Sequence, residues 1–140
     1  MPIVATEPKR LSDLVKKEFW ISEGWCRKVI TVNDTAGRTY AFGDALGTIT
    51  ASGKSQYAIE TAVDGSEDPV AIFIGKDFDT IGQDLEVAVT TDTEVLAMVR
   101  GPLVVGDQAL NLDATYDNQT KIDAAYASLD SVHISVETQV

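Results

Sequence analysis

The segment that decides the fold reads Gly43-Asp44-Ala45-Leu46-Gly47-Thr48-Ile49-Thr50-Ala51-Ser52-Gly53-Lys54. Its apolar residues are punctuated by glycines at positions 43, 47 and 53. Because glycine lacks a Cβ atom, it fits tight turns and bulges that other residues do not. The pattern therefore predicts a short strand with structural glycines at Gly43, Gly47 and Gly53, and it indicates a building element rather than a reactive site.

Short β segments are also predicted on both sides of this stretch. The apolar run from Pro69 to Ile74 predicts a strand that is buried on both faces. Gly65 lies in an Asp-Gly-Ser turn, and Gly101 follows an apolar strand that ends in Arg-Gly-Pro. Many short strands with glycine turns predict a compact barrel or sandwich. The predicted strands cover 27–32, 39–51, 56–62, 69–75, 84–90, 94–100 and 102–105.

One helix is predicted near the C-terminus. Thr120-Lys121-Ile122-Asp123 has the form of a capping box. An apolar stripe at i, i+3, i+4 and i+7 follows, and the helix is expected to end near residues 130–131. The stripe consists of Ile122, Ala125, Tyr126 and Leu129. Alternating Val132, Ile134 and Val136 then predict a last strand. The fold class is thus mainly β, with one or two short helices and a compact barrel-like body.

The N-terminal region differs from this body. Residues 1 to about 10 contain two prolines without periodicity, which predicts a mobile tail. The leader from Leu11 to Trp25 holds both tryptophans of the chain. Large aromatic side chains in a terminal segment either pack on the body or bind a partner, and the residues alone leave both possibilities open. The residues alone therefore separate this N-terminal region from one β-rich body.

The charge distribution bears on possible partners. The 140-residue chain carries a net charge of −11. Residues 1–38 hold seven Lys or Arg against five acids, whereas residues 39–140 hold four against seventeen. An acidic body repels phosphate backbones, so nucleic acid is not an expected partner. No apolar run reaches the length of a membrane span and the N-terminus lacks the apolar core of a signal peptide, so no membrane association is expected.

The sequence offers no catalytic or metal-binding constellation. Cys26 is the single cysteine and is interpreted as a small, half-buried strand residue. His133, the single histidine, is predicted to face outward from the last strand. The segment 77–82 resembles the start of a calcium loop but lacks the later ligands. Arg100 is expected to pair with an acid, either at a barrel end or between subunits. We predict no enzymatic activity, no metal and no cofactor.

The order of the motifs resembles the lambda-type phage head decoration (capsid-stabilising) proteins. This chain reads G-D-x-L-G-x-I-T-A-S-G-K, then D-G-S, P-V-A-I-x-I and V-R-G-P. The likeness extends upstream to 11–18 and 25–32, so it covers roughly residues 11 to 136. The chain departs from the family pattern at Thr48, where Lys is frequent, in the long acidic stretch 76–94, in its last four residues, and in its long leader with two tryptophans.

The resemblance implies a β-clip fold, a homotrimer and a position on the outer capsid surface of the virion, after synthesis in the bacterial cytoplasm. Such proteins cement neighbouring capsomers of the expanded head against DNA pressure. Their N-terminal arm, flexible when free, adds a strand to the sheet of the major capsid protein. Carried over to this chain, the resemblance implies an N-terminal arm, 1–24, and a single β-rich decoration domain, 25–140. The arm residues expected to meet the shell are Leu11, Leu14, Val15, Phe19 and Trp20.

Two other functions stay open from the sequence. Trimeric β-clip folds also include nucleotide hydrolases of the dUTPase type, although the nucleotide loop and metal-binding acids of such enzymes are not found here. The chain could alternatively be another virion accessory module, from a tail or fibre, which would bind sugars or tail proteins and would ignore capsids. A pyrophosphatase assay and a capsid-binding assay discriminate among the three functions.

Overall fold

The computed structural model describes residues 14–18, 25–34, 37–76 and 87–138. Within these ranges the chain forms ten strands and one helix. The strands are β1 (Val15–Glu18), β2 (Arg27–Val32), β3 (Arg38–Tyr40), β4 (Ala45–Thr48), β5 (Ser55–Tyr57), β6 (Pro69–Gly75), β7 (Val87–Val89), β8 (Thr93–Met98), β9 (Leu103–Gly106) and β10 (Ile134–Glu137). The helix is α1 (Gln119–Asp130).

Five strands close into a barrel in the order β2-β5-β4-β6-β8. Strand β2 pairs antiparallel with β8 along its whole length, from Arg27 opposite Met98 to Val32 opposite Thr93. On its other side β2 meets β5 through a single parallel pair, Val32 with Ser55. The predicted fold class, mainly β with a barrel-like body, is confirmed.

Two smaller sheets complete the described architecture. In the first, β9 lies between β1, which is antiparallel to it, and β10, which is parallel to it. Helix α1 lies between β9 and β10 in the chain and supplies the crossover that a parallel pair requires. The second sheet is the antiparallel pair of β3 and β7.

Strands β6 and β8 divide the interior into two cores, because successive residues of a strand point to opposite faces. Ala71 and Phe73 face the inside of the barrel, whereas Ile72 and Ile74 face β9, β10 and α1. The barrel core consists of Val32, Tyr40, Leu46, Tyr57, Ala71, Phe73, Val89, Val95 and Ala97. The helix-side core consists of Leu14, Cys26, Phe42, Ala45, Ile72, Ile74, Leu96, Met98, Leu103, Val105, Ala109, Leu110, Leu129 and Ile134. The predicted burial of β6 on both faces is confirmed.

The single strand predicted over 39–51 is wrong, since the structure splits it into β3 and β4. The break lies at Gly43, whose φ angle is +94°. A Cβ atom at this position would lie 2.3 Å from the carbonyl oxygen of Ala109. The chain therefore turns here while a distant loop presses against its backbone, and a glycine is required on both counts.

The other predicted structural glycines serve different purposes. Gly53 and Gly65 lie in turns with positive φ angles. Gly47 and Gly101 instead permit close approach: a Cβ at Gly47 would lie 2.1 Å from the carbonyl oxygen of Ser66, and one at Gly101 would lie 1.7 Å from that of His133. Gly47 also lies where the register between β4 and β6 shifts.

The helix and several strand boundaries differ in detail from the prediction. The N-cap of α1 is Asn118, whose Oδ1 accepts from the Lys121 N–H at 2.9 Å, so the helix starts before the predicted Thr120. Its predicted apolar stripe is confirmed, with Ala125 and Leu129 buried. Strand β5 ends at Tyr57, well before the predicted residue 62. Within the described part of the chain, no helix is long and apolar enough to span a membrane.

Candidate functional site

The described part of the leader is held on the body by backbone pairing. Strand β1 forms one edge of its sheet, with Val15 opposite Val105 and Glu18 opposite Leu103. Leu14, directly before the strand, is fully buried in the helix-side core. Thus the structure places residues 14–18, which the sequence assigns to the arm, in contact with the domain.

An ion pair fastens the end of β1 to the barrel. The Arg27 guanidinium donates from Nε to Glu18 Oε2 at 3.0 Å and from Nη2 to Oε1 at 2.7 Å. The Glu18 side chain is only 1% exposed, against 16% for Arg27. A bidentate pair fixes both the distance and the orientation of its two groups. This pair therefore fixes the end of β1 relative to β2.

The end of the leader meets the loop between β8 and β9 through Trp25. Its indole Nε1 donates to the Gly101 carbonyl oxygen at 3.2 Å, and its own carbonyl oxygen accepts from Arg100 Nε at 2.6 Å. The Arg100 guanidinium carbon lies 3.9 Å from the centroid of the indole ring. Among the described residues, Arg100 therefore stacks on an aromatic ring instead of pairing with the expected acid.

Three large apolar side chains remain exposed in the described part of the chain. Trp25 and Val29 are each 43% exposed, and Val63 is 96% exposed. Trp25 lies two residues before the start of β2, and Val29 is the third residue of that strand. The sequence places Trp25 in the leader, whereas it gives no interface signal for Val29, because an apolar residue in a strand is equally typical of a core.

The structure describes two of the five residues predicted to contact the shell. Leu14 is buried and Val15 is partly buried against the same core. Leu11, Phe19 and Trp20 lie outside the described residues. Leu14 and Val15 therefore lie together at the start of β1, and the apolar character of these two leader residues reflects their contact with the domain.

Cys26 and His133, the residues considered for chemistry, differ in burial. Cys26 is fully buried, and its Sγ lies 3.6 Å from the Pro102 carbonyl oxygen. His133 is exposed as predicted, but it lies in the turn before β10 and not in the strand, with a φ angle of +65°. The described residues contain no group of three His, Cys, Asp or Glu that could hold a metal ion. The segment 77–82 lies outside the described residues.

A polar network occupies the barrel core. Tyr40 Oη donates to Asp34 Oδ2 at 3.2 Å and accepts from the Tyr57 N–H at 2.9 Å. The Arg38 guanidinium carbon lies 3.4 Å from the centroid of the Tyr57 ring. Burial, with the Asp44 carboxylate as a second cause, raises the pKa of Tyr57 to about 12. Because Tyr40 joins the Asp34 carboxylate to the Tyr57 backbone by hydrogen bonds, these three groups are suited to holding the barrel together rather than to reacting with a substrate.

The comparisons with known proteins agree with the motif order. The model of the family described as Bacteriophage lambda head decoration protein D matches residues 4–134, nearly the whole chain. No curated protein matches the chain at a significant level. The matched range includes the leader, the barrel and the helix, and it ends at the first residue of β10. The chain belongs to the phage lambda head decoration protein D family, a family of structural proteins of the virion capsid.

Proposed function

We propose that this chain binds as a homotrimer to the outside of the expanded phage head and stabilises it against DNA pressure. The observation that carries the proposal is the family match over residues 4–134. The net charge of −11 also supports an outward position, since an acidic body is repelled by packaged DNA. The partner is the major capsid protein of the same phage.

We further propose that residues 1–24 form the capsid-binding arm, with contacts from Leu11, Leu14, Val15, Phe19 and Trp20. Among the described strands β1 is the outer strand of its sheet, and Leu14, buried in the helix-side core, anchors the arm to the domain. The exposed faces of Trp25 and Val29 would extend the apolar contact. Three arms on one trimer gain affinity by effective concentration, even where each single contact is weak.

Light scattering and co-sedimentation test this proposal. The purified protein should have the mass of three chains, and it should move into the pellet with expanded, undecorated capsids at a saturable stoichiometry. A chain that stays monomeric and remains in the supernatant would show that the proposal is wrong.

Shortened and substituted variants test the arm. Deletion of residues 1–13 keeps Leu14 and β1, so the protein should fold while its affinity for capsids falls. Phe19→Ala with Trp20→Ala should weaken binding further. Val63→Ala serves as the control, because it removes a highly exposed apolar side chain outside the leader. Equal binding of all these variants would assign the contact to another part of the chain.

A further inference from the structure

Strand β2 is paired very unequally on its two sides. Its pairing with β8 runs over six residues, whereas β5 reaches it only at Val32. Just beyond, the Asn33 N–H donates to the Ser55 carbonyl oxygen at 2.9 Å. Among the described strands, none other than β8 pairs with the part of β2 from Arg27 to Thr31. In the described part of the chain, β2 and β5 therefore close the barrel only at the Val32 end of their seam, and the rest of that seam is called the open seam.

The hydrogen-bond pattern shows which backbone groups this opening presents. The Val99 N–H donates to the Cys26 carbonyl oxygen at 2.8 Å, which makes Cys26–Val99 a hydrogen-bonded pair of the antiparallel ladder. Such pairs alternate with pairs whose N–H and C=O groups point away from the partner strand. By the observed register, Val29 opposite Leu96 belongs to the second kind. The N–H and C=O of Val29 thus point away from β8, toward the open seam.

The open seam forms a cleft of about 620 Å³. One wall is β2 from Lys28 to Thr31, and the other includes Thr48 and the turn 52–55. Its apolar lining comes from Val29, Ile30, Val70, Ala71, Val99 and Val132. An open strand edge beside apolar side chains is the arrangement that binds an extended peptide: the backbone supplies hydrogen bonds and the lining receives alternate side chains.

The charge of the cleft selects its occupant. Lys28, Lys54 and Arg100 line it against one carboxylate, that of Asp92, which pairs with Lys54 at 2.7 Å. In a chain of net charge −11 this is a locally cationic surface. Pairing of β2 with β2 of a second copy would bring the Arg27 and Lys28 side chains of the two copies close to one another, and this repulsion between like charges is unfavourable. The complementary occupant is an extended segment that carries carboxylates.

We propose that this cleft receives an extended, acid-bearing segment of the major capsid protein, which adds to the free edge of β2. The inference rests on the proposed function and adds to it a second contact, in which the decoration protein accepts a strand instead of donating one. Since the backbone of Val29 makes the new hydrogen bonds and Lys28 faces the acidic side chains, these two residues determine the test.

The test compares two pairs of variants for binding to expanded capsids by co-sedimentation. Val29→Pro removes the N–H on the cleft side and leaves the pairs with β8 intact, so the apparent Kd should rise about tenfold. Val29→Ala keeps the backbone donor and should bind nearly as the unmodified protein does. Lys28→Glu should weaken binding about threefold at low salt, whereas Lys76→Glu, the same change at an exposed site outside the cleft, should not.

Hydrogen exchange of the unmodified protein provides a measurement that does not depend on folding of the proline variant. The peptide over 27–32 should contain an amide that exchanges rapidly in the free protein and at least roughly tenfold more slowly on decorated capsids. Unchanged exchange on decorated capsids would overturn the inference.

The remaining outcomes separate this inference from the proposed function. If the unmodified protein binds capsids and both Val29→Pro and Lys28→Glu bind equally well, the cleft assignment fails and the proposed function stands. If the unmodified protein does not bind capsids, both fail. If Val29→Pro lowers the mass of the free oligomer in light scattering, the edge pairs with a second copy of the chain, which also overturns the inference.

Discussion

The two cores share the strands β6 and β8 but are built from different kinds of side chain. The helix-side core packs mainly aliphatic residues, including Leu103, Leu129 and Ile134, together with Ile72 and Ile74. The barrel core, on the other face of the same strands, packs Phe73 against Tyr40, with ring centroids 6.3 Å apart, and includes a hydrogen-bonded tyrosine. One pair of strands thus supports both non-directional packing and a specified polar arrangement.

This difference follows from the shape of the space that each core has to fill. A small barrel has to be filled by few side chains, and tyrosines fill it while their hydroxyl groups satisfy backbone and carboxylate groups near its end. The helix-side core instead joins a sheet and a helix to an existing wall, for which apolar area is sufficient. We expect the barrel core to be sensitive to single polar atoms and the helix-side core to be sensitive mainly to volume.

The largest predicted effect tests whether the two cores unfold together. Phe73→Ala and Ile72→Ala remove large buried side chains from opposite faces of β6, and each should cost about 3–4 kcal/mol of unfolding free energy. Because both cores depend on β6, urea unfolding should remain a single transition in both variants. Trp fluorescence and circular dichroism should give the same midpoint. Separate midpoints for the two probes would show that the cores are independent.

The second prediction concerns a single oxygen atom. Tyr40→Phe removes the hydroxyl group that contacts both Asp34 and the Tyr57 N–H, and it leaves both buried groups without that partner. The expected cost is about 1–3 kcal/mol in urea unfolding. Tyr126→Phe is the matched control, since Tyr126 packs partly buried against the helix-side core; it should cost less than about 0.5 kcal/mol. Equal losses of unfolding free energy in the two variants would show that the cores do not differ in their sensitivity to a single hydroxyl group.

The third prediction is a loss of stability at high pH. Burial raises the pKa of Tyr57 to about 12, and it raises that of Tyr40 well above the usual value. Unfolded tyrosine titrates near pH 10, so the stabilisation is complete below about pH 10 and is lost as the pH rises through the folded-state values. The urea concentration at the midpoint of unfolding should therefore decrease as the pH rises from 10 to 12. Tyr57→Phe should make the urea midpoint depend less steeply on pH over this range. An unchanged pH dependence would mean that it arises from other groups, such as Tyr116.

The smallest predicted effect lies outside both cores. The Lys54–Asp92 pair is exposed on both sides, at 38% and 50%. Lys54→Ala should change the unfolding free energy by less than about 0.5 kcal/mol, because exposed ion pairs contribute little. Thermal unfolding in low and high salt checks this value. A larger loss of unfolding free energy would mean that the turn 52–54 contributes to the stability of the barrel.

The sequence predicted the features that are encoded locally. The apolar run of β6 showed burial on both faces, and the stripe of α1 showed its buried side. The break between β3 and β4 could not be predicted in this way, because it depends on the approach of Ala109 to Gly43 from a distant part of the chain. Similarly, the capping-box spacing predicts Thr120 as the start of α1, whereas in the structure the Asn118 side chain accepts the capping hydrogen bond from the Lys121 N–H.

The candidate interface was less predictable for the same reason. The apolar leader was recognised from its composition, but its docking on β9 and its bidentate pair with Arg27 require the folded neighbours. The stacking of Arg100 on Trp25 joins residues 75 positions apart, and no local pattern signals it. The open edge of β2 is equally invisible, because an unpaired strand has the same sequence pattern as a paired one.

The attachment of β1 has a mechanical consequence. A tension applied to the chain before Leu14 and directed along the strand reaches the body through the β1–β9 ladder and the Glu18–Arg27 pair. Loaded in this direction the hydrogen bonds share the force in shear and do not open one after another. The same strand pulled away sideways would yield bond by bond. The direction of pull would therefore decide whether β1 resists force with all its hydrogen bonds at once or loses them one at a time.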